Sequence, residues 1–222
     1  QNTDLLIEQT KNFNPISVIV TDSSVNSEKI SILKSSKTNL YIGGEGILRA
    51  LKSVDYDILV NALVGAVGLL PTVNAIKDGK TIAIANKETL VMAGEIVTSL
   101  AKKYKSKLLP IDSEHSAVFQ CIEGNRREDV DKIILTASGG PFLNLPEKEF
   151  NKITPKDALN LPNWNMVKKI RVDSATLMNK GLEAIEAKYL FDVSQEMIDV
   201  VIHPQSVIHS MVSFKDGTVL AQ

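Results

Sequence analysis

A chain of 222 residues, 44% of them hydrophobic and with a formal charge of -1, can bury a core and is too evenly charged to be disordered. Its 25 basic and 26 acidic residues create no field that would draw nucleic acid or a membrane surface, so neither partner is expected and small-molecule chemistry is favoured. Cys121 is the one cysteine, which excludes an intrachain disulfide or a multi-cysteine metal cluster and fits a reducing compartment.

In chain order, Ile16 to Val20, Asp57 to Ala62, Thr81 to Ala85 and Lys107 to Ile111 read as strands. Their nearly continuous apolar residues suit strands buried on both faces. Between them Ser27 to Leu33, Gly46 to Ser53, Leu69 to Lys77 and Glu88 to Tyr104 read as helices, the alternation of a parallel sheet covered by helices. After about Ser113 the rhythm changes. Glu114 to Ile122 reads as a helix and Asp131 to Ala137 as a strand running into Ser138-Gly139-Gly140-Pro141. Phe142 to Lys169 is polar and punctuated by proline, with one short helix near Pro155 to Leu159; its length makes it a candidate lid. Ser174 to Leu190 has helical character, and Met197 to Ile202, Val207 to Phe214 and Thr218 to Ala221 read as strands, the last two joined by an Asp216-Gly217 hairpin signal. The fold class is α/β, an incomplete Rossmann-like parallel-sheet domain over 1–112 followed by an α+β catalytic domain over 113–222, with the lid near 142–169. No stretch approaches the roughly 20 apolar residues of a membrane helix, and the start lacks a secretory signal. The chain opens on Gln1 and stops within a strand-like run, so a fragment of a longer protein is expected.

Asp112-Ser113-Glu114 closes a strand, the edge of an α/β sheet where ligands bind. Residues two apart in extended chain point the same way, so Asp112 and Glu114 can reach one cation; equally, they can cap the helix that follows. In Asn179-Lys180-Gly181-Leu182-Glu183 a helix would place Asn179, Lys180 and Glu183 on one face, which suits a phosphate and a metal but also an ordinary solvated ion pair. Three carboxylates with no thiolate would select Mg²⁺ or Mn²⁺. Ser138 with its glycines can form an anion nest, and Ser174 lies near a helix start where anions are favoured; each is also a common turn or cap. Asn86-Lys87-Glu88 joins a strand to a helix at the ligand edge, where an amide and a positive charge could meet a cofactor and a phosphorylated substrate. Trp164 lies in the lid as either a packing anchor or a substrate cover. His115 and His209 could act as acid, base or ligand, although a lone histidine is more often structural, and His203 before Pro204 reads as a turn residue.

The runs Gly65 to Thr72, Ala85 to Glu88, Leu109 to His115, Ser138 to Phe142, Pro162-Asn163-Trp164, Val172 to Glu183 and Ile202 to Met211 resemble, in order and spacing, those of the 1-deoxy-D-xylulose 5-phosphate reductoisomerase family. The resemblance implies an NADPH- and metal-dependent oxidoreductase and isomerase of isoprenoid synthesis, homodimeric when intact, acting on a phosphorylated sugar. It also implies that Asp112, Glu114 and Glu183 bind the metal, that Asn86 and Glu88 meet the cofactor, and that Lys87 and Glu114 are catalytic. Lys87, Ser113, Glu114, Ser138, Ser174, Asn179, Lys180, Glu183 and Trp164 would contact substrate. Leu161 and Val167 depart from the family, which usually has His and Gly at those places. The family's Gly-rich dinucleotide fingerprint would precede Gln1, so the isolated chain is expected to turn over no substrate. Rival readings are an NADPH-dependent reductase of another metabolite and a noncatalytic self-association module built on the strands from Val200 to Gln222.

Overall fold

The computed structural model describes residues 2–35, 38–159 and 168–222. Leu161, Pro162 to Met166 with Trp164, and Val167, the centre of the expected lid, lie outside them.

The chain begins with a helix that periodicity alone does not announce, α1 (Thr3–Phe13), capped by the Asn2 side chain and ended by Asn14 in the left-handed region. β1 (Ser17–Val20) follows, then α2 (Ser27–Ser35), a short strand β2 (Asn39–Ile42) with no strong sequence signal, and α3 (Gly46–Ser53). β1 and β2 pair in parallel as a small sheet. β3 (Ile58–Asn61), α4 (Leu69–Lys77), β4 (Thr81–Ile84), α5 (Lys87–Tyr104) and β5 (Leu108–Pro110) build a second parallel sheet in the order β3-β4-β5. The expectation of burial on both faces holds for β4, whose Ile82 and Ile84 are fully buried, but not for β3, whose Ile58 and Val60 are exposed. Ile58 and Val60, two apart, share one face of β3, and that face is the exposed one.

α6 (Ser113–Ile122) leads to β6 (Val130–Ala137), and a 3₁₀ turn and α7 (Pro155–Ala158) follow. The single helix expected over Ser174 to Leu190 is instead two, α8 (Lys168–Ala175) and α9 (Met178–Phe191), broken at Thr176 and Leu177. Ser174 therefore sits in the last turn of α8, not at a helix start, and Thr176 Oγ1 accepts from the Met178 N–H that opens α9.

β7 (Ile198–Ile202), β8 (Ser210–Phe214) and β9 (Val219–Ala221) complete a four-stranded sheet in the order β7-β6-β8-β9. β6 and β7 are parallel, which requires a long crossover, and α8 and α9 supply it. That crossover lays α9 against β6 and α6 around a core of Val118, Ile133, Leu135, Ala187, Phe191 and Val212. α9 also packs on α5, where the Tyr189 ring fills the space a side chain at Gly94 would need. Beside that contact Ala93 leaves helical geometry and kinks α5.

Candidate active site

α5, α6 and α9 deliver the charged residues to one place. Asp112 ends the β5 segment in extended conformation and caps α6, its Oδ1 accepting from the Ser113 N–H at 3.0 Å. The capping reading therefore holds, and its other oxygen accepts from Lys87 Nζ at 2.7 Å. Glu114 lies in the first turn of α6 rather than in extended chain, with Ser113 Oγ and Lys180 Nζ donating to it at 2.7 and 3.0 Å. Glu183 is 1% exposed on α9 and accepts from Asn179 Nδ2 at 2.5 Å, from Lys87 Nζ at 3.3 Å and from Lys180. One carboxylate oxygen from each of Asp112, Glu114 and Glu183 lies within 4.8 Å of the other two.

The electrostatics follow from burial. Burial opposes the charge on Lys87, yet the Asp112 and Glu183 carboxylates outweigh it and raise its pKa well above the ordinary lysine value. Burial likewise disfavours the charged forms of Asp112 and Glu114, but Lys87 and Lys180 respectively hold both below the usual carboxylate range. Glu183 goes the other way, raised by burial and by the Glu114 charge. Three carboxylates against two ammonium groups leave an excess of negative charge, and the donor set is all oxygen, so the residues fit a hard divalent cation. The buried Asn179 Oδ1 has no hydrogen-bond partner among the described residues and could accept from a bound hydroxyl or water.

These groups line a cleft of about 430 Å³ with Lys87, Ser113, Ser138, Ser174, Asn179 and Lys180. Every expected substrate contact within the described residues is on its wall. Gly139 and Gly140 follow Ser138 with φ of +89° and +70°, and a side chain at Gly140 would overlap the Ser174 carbonyl, so the nest lies directly against the end of α8. Thr136, Thr176 and Ser206 also line the cleft, with nothing in their spacing to single them out, as does His209, which the sequence offers as an acid, base or ligand. His203 is a turn residue whose Nε2 accepts from the Val207 and Ile208 N–H groups.

Asn86 is 1% exposed and its side chain is committed to structure. Its Oδ1 accepts from the Thr89 N–H at 3.0 Å, while its Nδ2 donates to the Leu63 and Gly65 carbonyls at 2.6 and 3.0 Å and to Glu88 at 3.1 Å. The other expected cofactor residue, Glu88, is also engaged through both carboxylate oxygens, one by this amide and one by a lysine. It pairs with Lys169 at 2.8 Å, which also holds Asp173 at 2.8 Å and so ties α8 to the start of α5.

Behind the carboxylates lies a pair of which the sequence singles out only the histidine. His115 and Glu186 are both fully buried, with Nδ1 and Oε2 3.5 Å apart. Burial raises the Glu186 carboxyl to about 7, His115 pulling against that rise and Asp112 adding to it. A folded-state pKa above the unfolded one stabilises the fold below the unfolded value, and the contribution is lost as pH rises through the folded value. Metal-free protein is therefore expected to lose stability as the pH rises from about 4.5 to about 7, with this group contributing a slope of at most about 1.4 kcal/mol for each tenfold fall in proton concentration. Melting curves in chelator across that range test this, and Glu186→Gln should flatten the slope.

Two family descriptions match the chain, 1-deoxy-D-xylulose 5-phosphate reductoisomerase over 1–94 and the C-terminal domain of the same enzyme over 108–191. Curated relatives of that name from Geotalea daltonii and Chloroherpeton thalassium are 54% and 52% identical, and each alignment covers all of this chain but 58% and 57% of the relative. A crystal structure of DOX-P reductoisomerase in complex with NADPH, fosmidomycin and magnesium superposes with a TM-score of 0.92 at 41% identity, covering 100% of this chain and 57% of that one. The Zymomonas mobilis enzyme in complex with NADPH gives 0.90 at 40% identity over the same shares. The chain thus spans somewhat more than half the length of its relatives.

Proposed function

Because this chain belongs to the 1-deoxy-D-xylulose 5-phosphate reductoisomerase family, we propose that the whole protein converts 1-deoxy-D-xylulose 5-phosphate to 2-C-methyl-D-erythritol 4-phosphate with NADPH, in the non-mevalonate route to isoprenoids. The observation that carries the proposal is the convergence of Asp112, Glu114 and Glu183 between two buried lysines. These carboxylates would hold Mg²⁺ or Mn²⁺, which when bound supplies Lewis-acid polarisation and a template for neighbouring substrate oxygens. Asn86 and Glu88 would contact NADPH, which when bound would supply the hydride.

Lys87 neutralises negative charge that develops on the substrate's reacting oxygens, at a position already fixed by Asp112 and Glu183. Ser138, Ser174, Asn179 and Lys180 offer hydroxyl, amide and ammonium donors for the phosphorylated end, and Ser113 steadies Glu114. Glu114 is held charged by Lys180 and would accept a hydrogen bond from a substrate hydroxyl, orienting it. In this reading 1–112 is the remainder of the cofactor domain and 113–222 belongs to the catalytic domain with a lid near 142–169, from which Trp164, outside the described residues, would cover the substrate. We assign the protein to the cytoplasm as a homodimer; the exposed apolar residues of β7 and β9, among them Val200, Ile202 and Val219, support a subunit contact there. Among the described residues no helix is long and apolar enough to cross a membrane.

The test is NADPH oxidation by the full-length protein with 1-deoxy-D-xylulose 5-phosphate. Turnover should require Mg²⁺ or Mn²⁺, stop with chelator and return when metal is restored. Turnover that persists in chelator would remove the metal from the proposal, and none under any metal would remove the activity.

A further inference from the structure

α6 carries Asp112 at its cap and Glu114 in its first turn, whereas Glu183 rides on α9. A three-carboxylate centre works only if those two helices keep one separation and one rotation, because a displacement of a fraction of an ångström changes which oxygens a single cation can reach. His115 is the next residue after Glu114, and its ring meets α9 three times. Nε2 donates to the Glu183 carbonyl at 2.9 Å, Nδ1 lies 3.5 Å from Glu186 Oε2, and the ring stacks on Phe191 at 6.3 Å and 17°.

We propose that Glu186, acting through His115, is a positioning residue for the carboxylate centre: the buried pair fixes α6 against α9 and so sets the distance from Asp112 and Glu114 to Glu183. The inference rests on the metal reading given above.

Packing alone does not account for the pair. Both side chains are fully buried, and neither Glu186 oxygen nor His115 Nδ1 has a hydrogen-bond partner among the described residues. An apolar residue of Glu186's size would fill the same space without taking a carboxyl group out of water. What an apolar residue would not do is choose the ring's orientation. With the Nε2 proton given to the Glu183 carbonyl, Nδ1 faces Glu186 Oε2 3.5 Å away, and a proton shared across a shortened contact would hold the imidazole at both nitrogens. Released at Nδ1, it can rotate and take the Glu183 backbone contact with it. This is the relation seen where a partner behind a metal ligand fixes that ligand's aim without touching the ion.

Asp112, His115 and Glu186 also bring ligand atoms within 4.8 Å of one another, so a second cation there is the competing explanation of the unpartnered atoms. Titrating Mn²⁺ into full-length protein by calorimetry, with melting curves in chelator, separates the two. Wild type is expected to bind one Mn²⁺ per chain at this centre. Glu186→Leu should melt in chelator no lower than wild type yet bind Mn²⁺ about tenfold or more weakly. Glu186→Gln, whose amide can still donate to Nδ1, should stay within about threefold of wild type. Glu186→Met, unbranched and adaptable, replaces the leucine variant if leucine overpacks and fails to fold. Apolar variants that bind Mn²⁺ as wild type does would overturn the inference and leave the metal reading intact. Two ions in wild type and one in the variants would make Glu186 a ligand and overturn it also. A wild type that binds no Mn²⁺ would overturn the metal reading and this inference with it.

Discussion

Glu183→Gln in the full-length protein is expected to weaken Mn²⁺ binding by about a hundredfold or more and to take turnover down with it. The substitution keeps the shape of a side chain that is 1% exposed, and it keeps an oxygen able to accept from Lys87 or Asn179. What it removes is one unit of charge within a few ångströms of the cation. At an effective dielectric of about 20 a pair of unit charges about 4 Å apart is worth about 4 kcal/mol, more for a divalent ion, and part is offset because a neutral amide costs less to desolvate. A residual loss of about 2.8 kcal/mol already corresponds to a factor of about one hundred. Metal-free stability should move little or rise, since burial and Glu114 already disfavour the charged carboxylate. Calorimetric Mn²⁺ titration together with melting curves in chelator reads both quantities. Binding within threefold of wild type would take Glu183 out of the ligand set.

Lys87→Met should show the opposite pattern. Its ammonium group occupies an oxygen of Asp112 at 2.7 Å and one of Glu183 at 3.3 Å, oxygens that a cation would otherwise use. Removing it should leave Mn²⁺ affinity unchanged or tighter, while turnover falls by about 10²- to 10³-fold through the loss of charge stabilisation at the reacting oxygens. In chelator the variant should melt lower, because breaking a buried ion pair leaves uncompensated carboxylates at a cost of about 3 to 5 kcal/mol. Added Mn²⁺ should recover much of that difference. A variant that loses metal and turnover together would make Lys87 part of the metal's support rather than a group acting on substrate.

The alternation of short apolar runs and amphipathic stretches is enough to read β4, α4 and α5, because each obeys its own local period and its own stop signal. Asp112-Ser113-Glu114 is legible for a similar reason, since a strand end followed by a helix is a ligand edge whatever its partners. Asn179 and Glu183 meet because they are four apart on a helix, and that too is local. Glu186 is not legible: three residues beyond Glu183 on a helix, it reads as one more solvated acid, and only the fold puts it opposite His115. The break between α8 and α9 carries neither proline nor glycine. The commitment of the Asn86 amide to the loop at Leu63 and Gly65 depends on a contact 23 residues away, beyond any periodic argument. Sequence overestimates the burial of β3 for a related reason, because an apolar composition does not say which face of a strand is covered.

The contacts that define the cleft are long-range ones. Lys87 and Glu183 are 96 residues apart along the chain, His115 and Glu183 68, and Lys180 and Glu114 66. Bringing such distant segments together pays its loop-closure entropy before the contacts repay it, so this geometry belongs to the late, fully consolidated stage of folding rather than to any early local nucleus. A ligand that recognises only the finished arrangement then draws the population toward the native state by mass action. The same connectivity makes the centre sensitive to partial opening: if α9 parts from α5 while both helices stay helical, Glu183 leaves Lys87 and the cluster dissolves, with secondary structure intact.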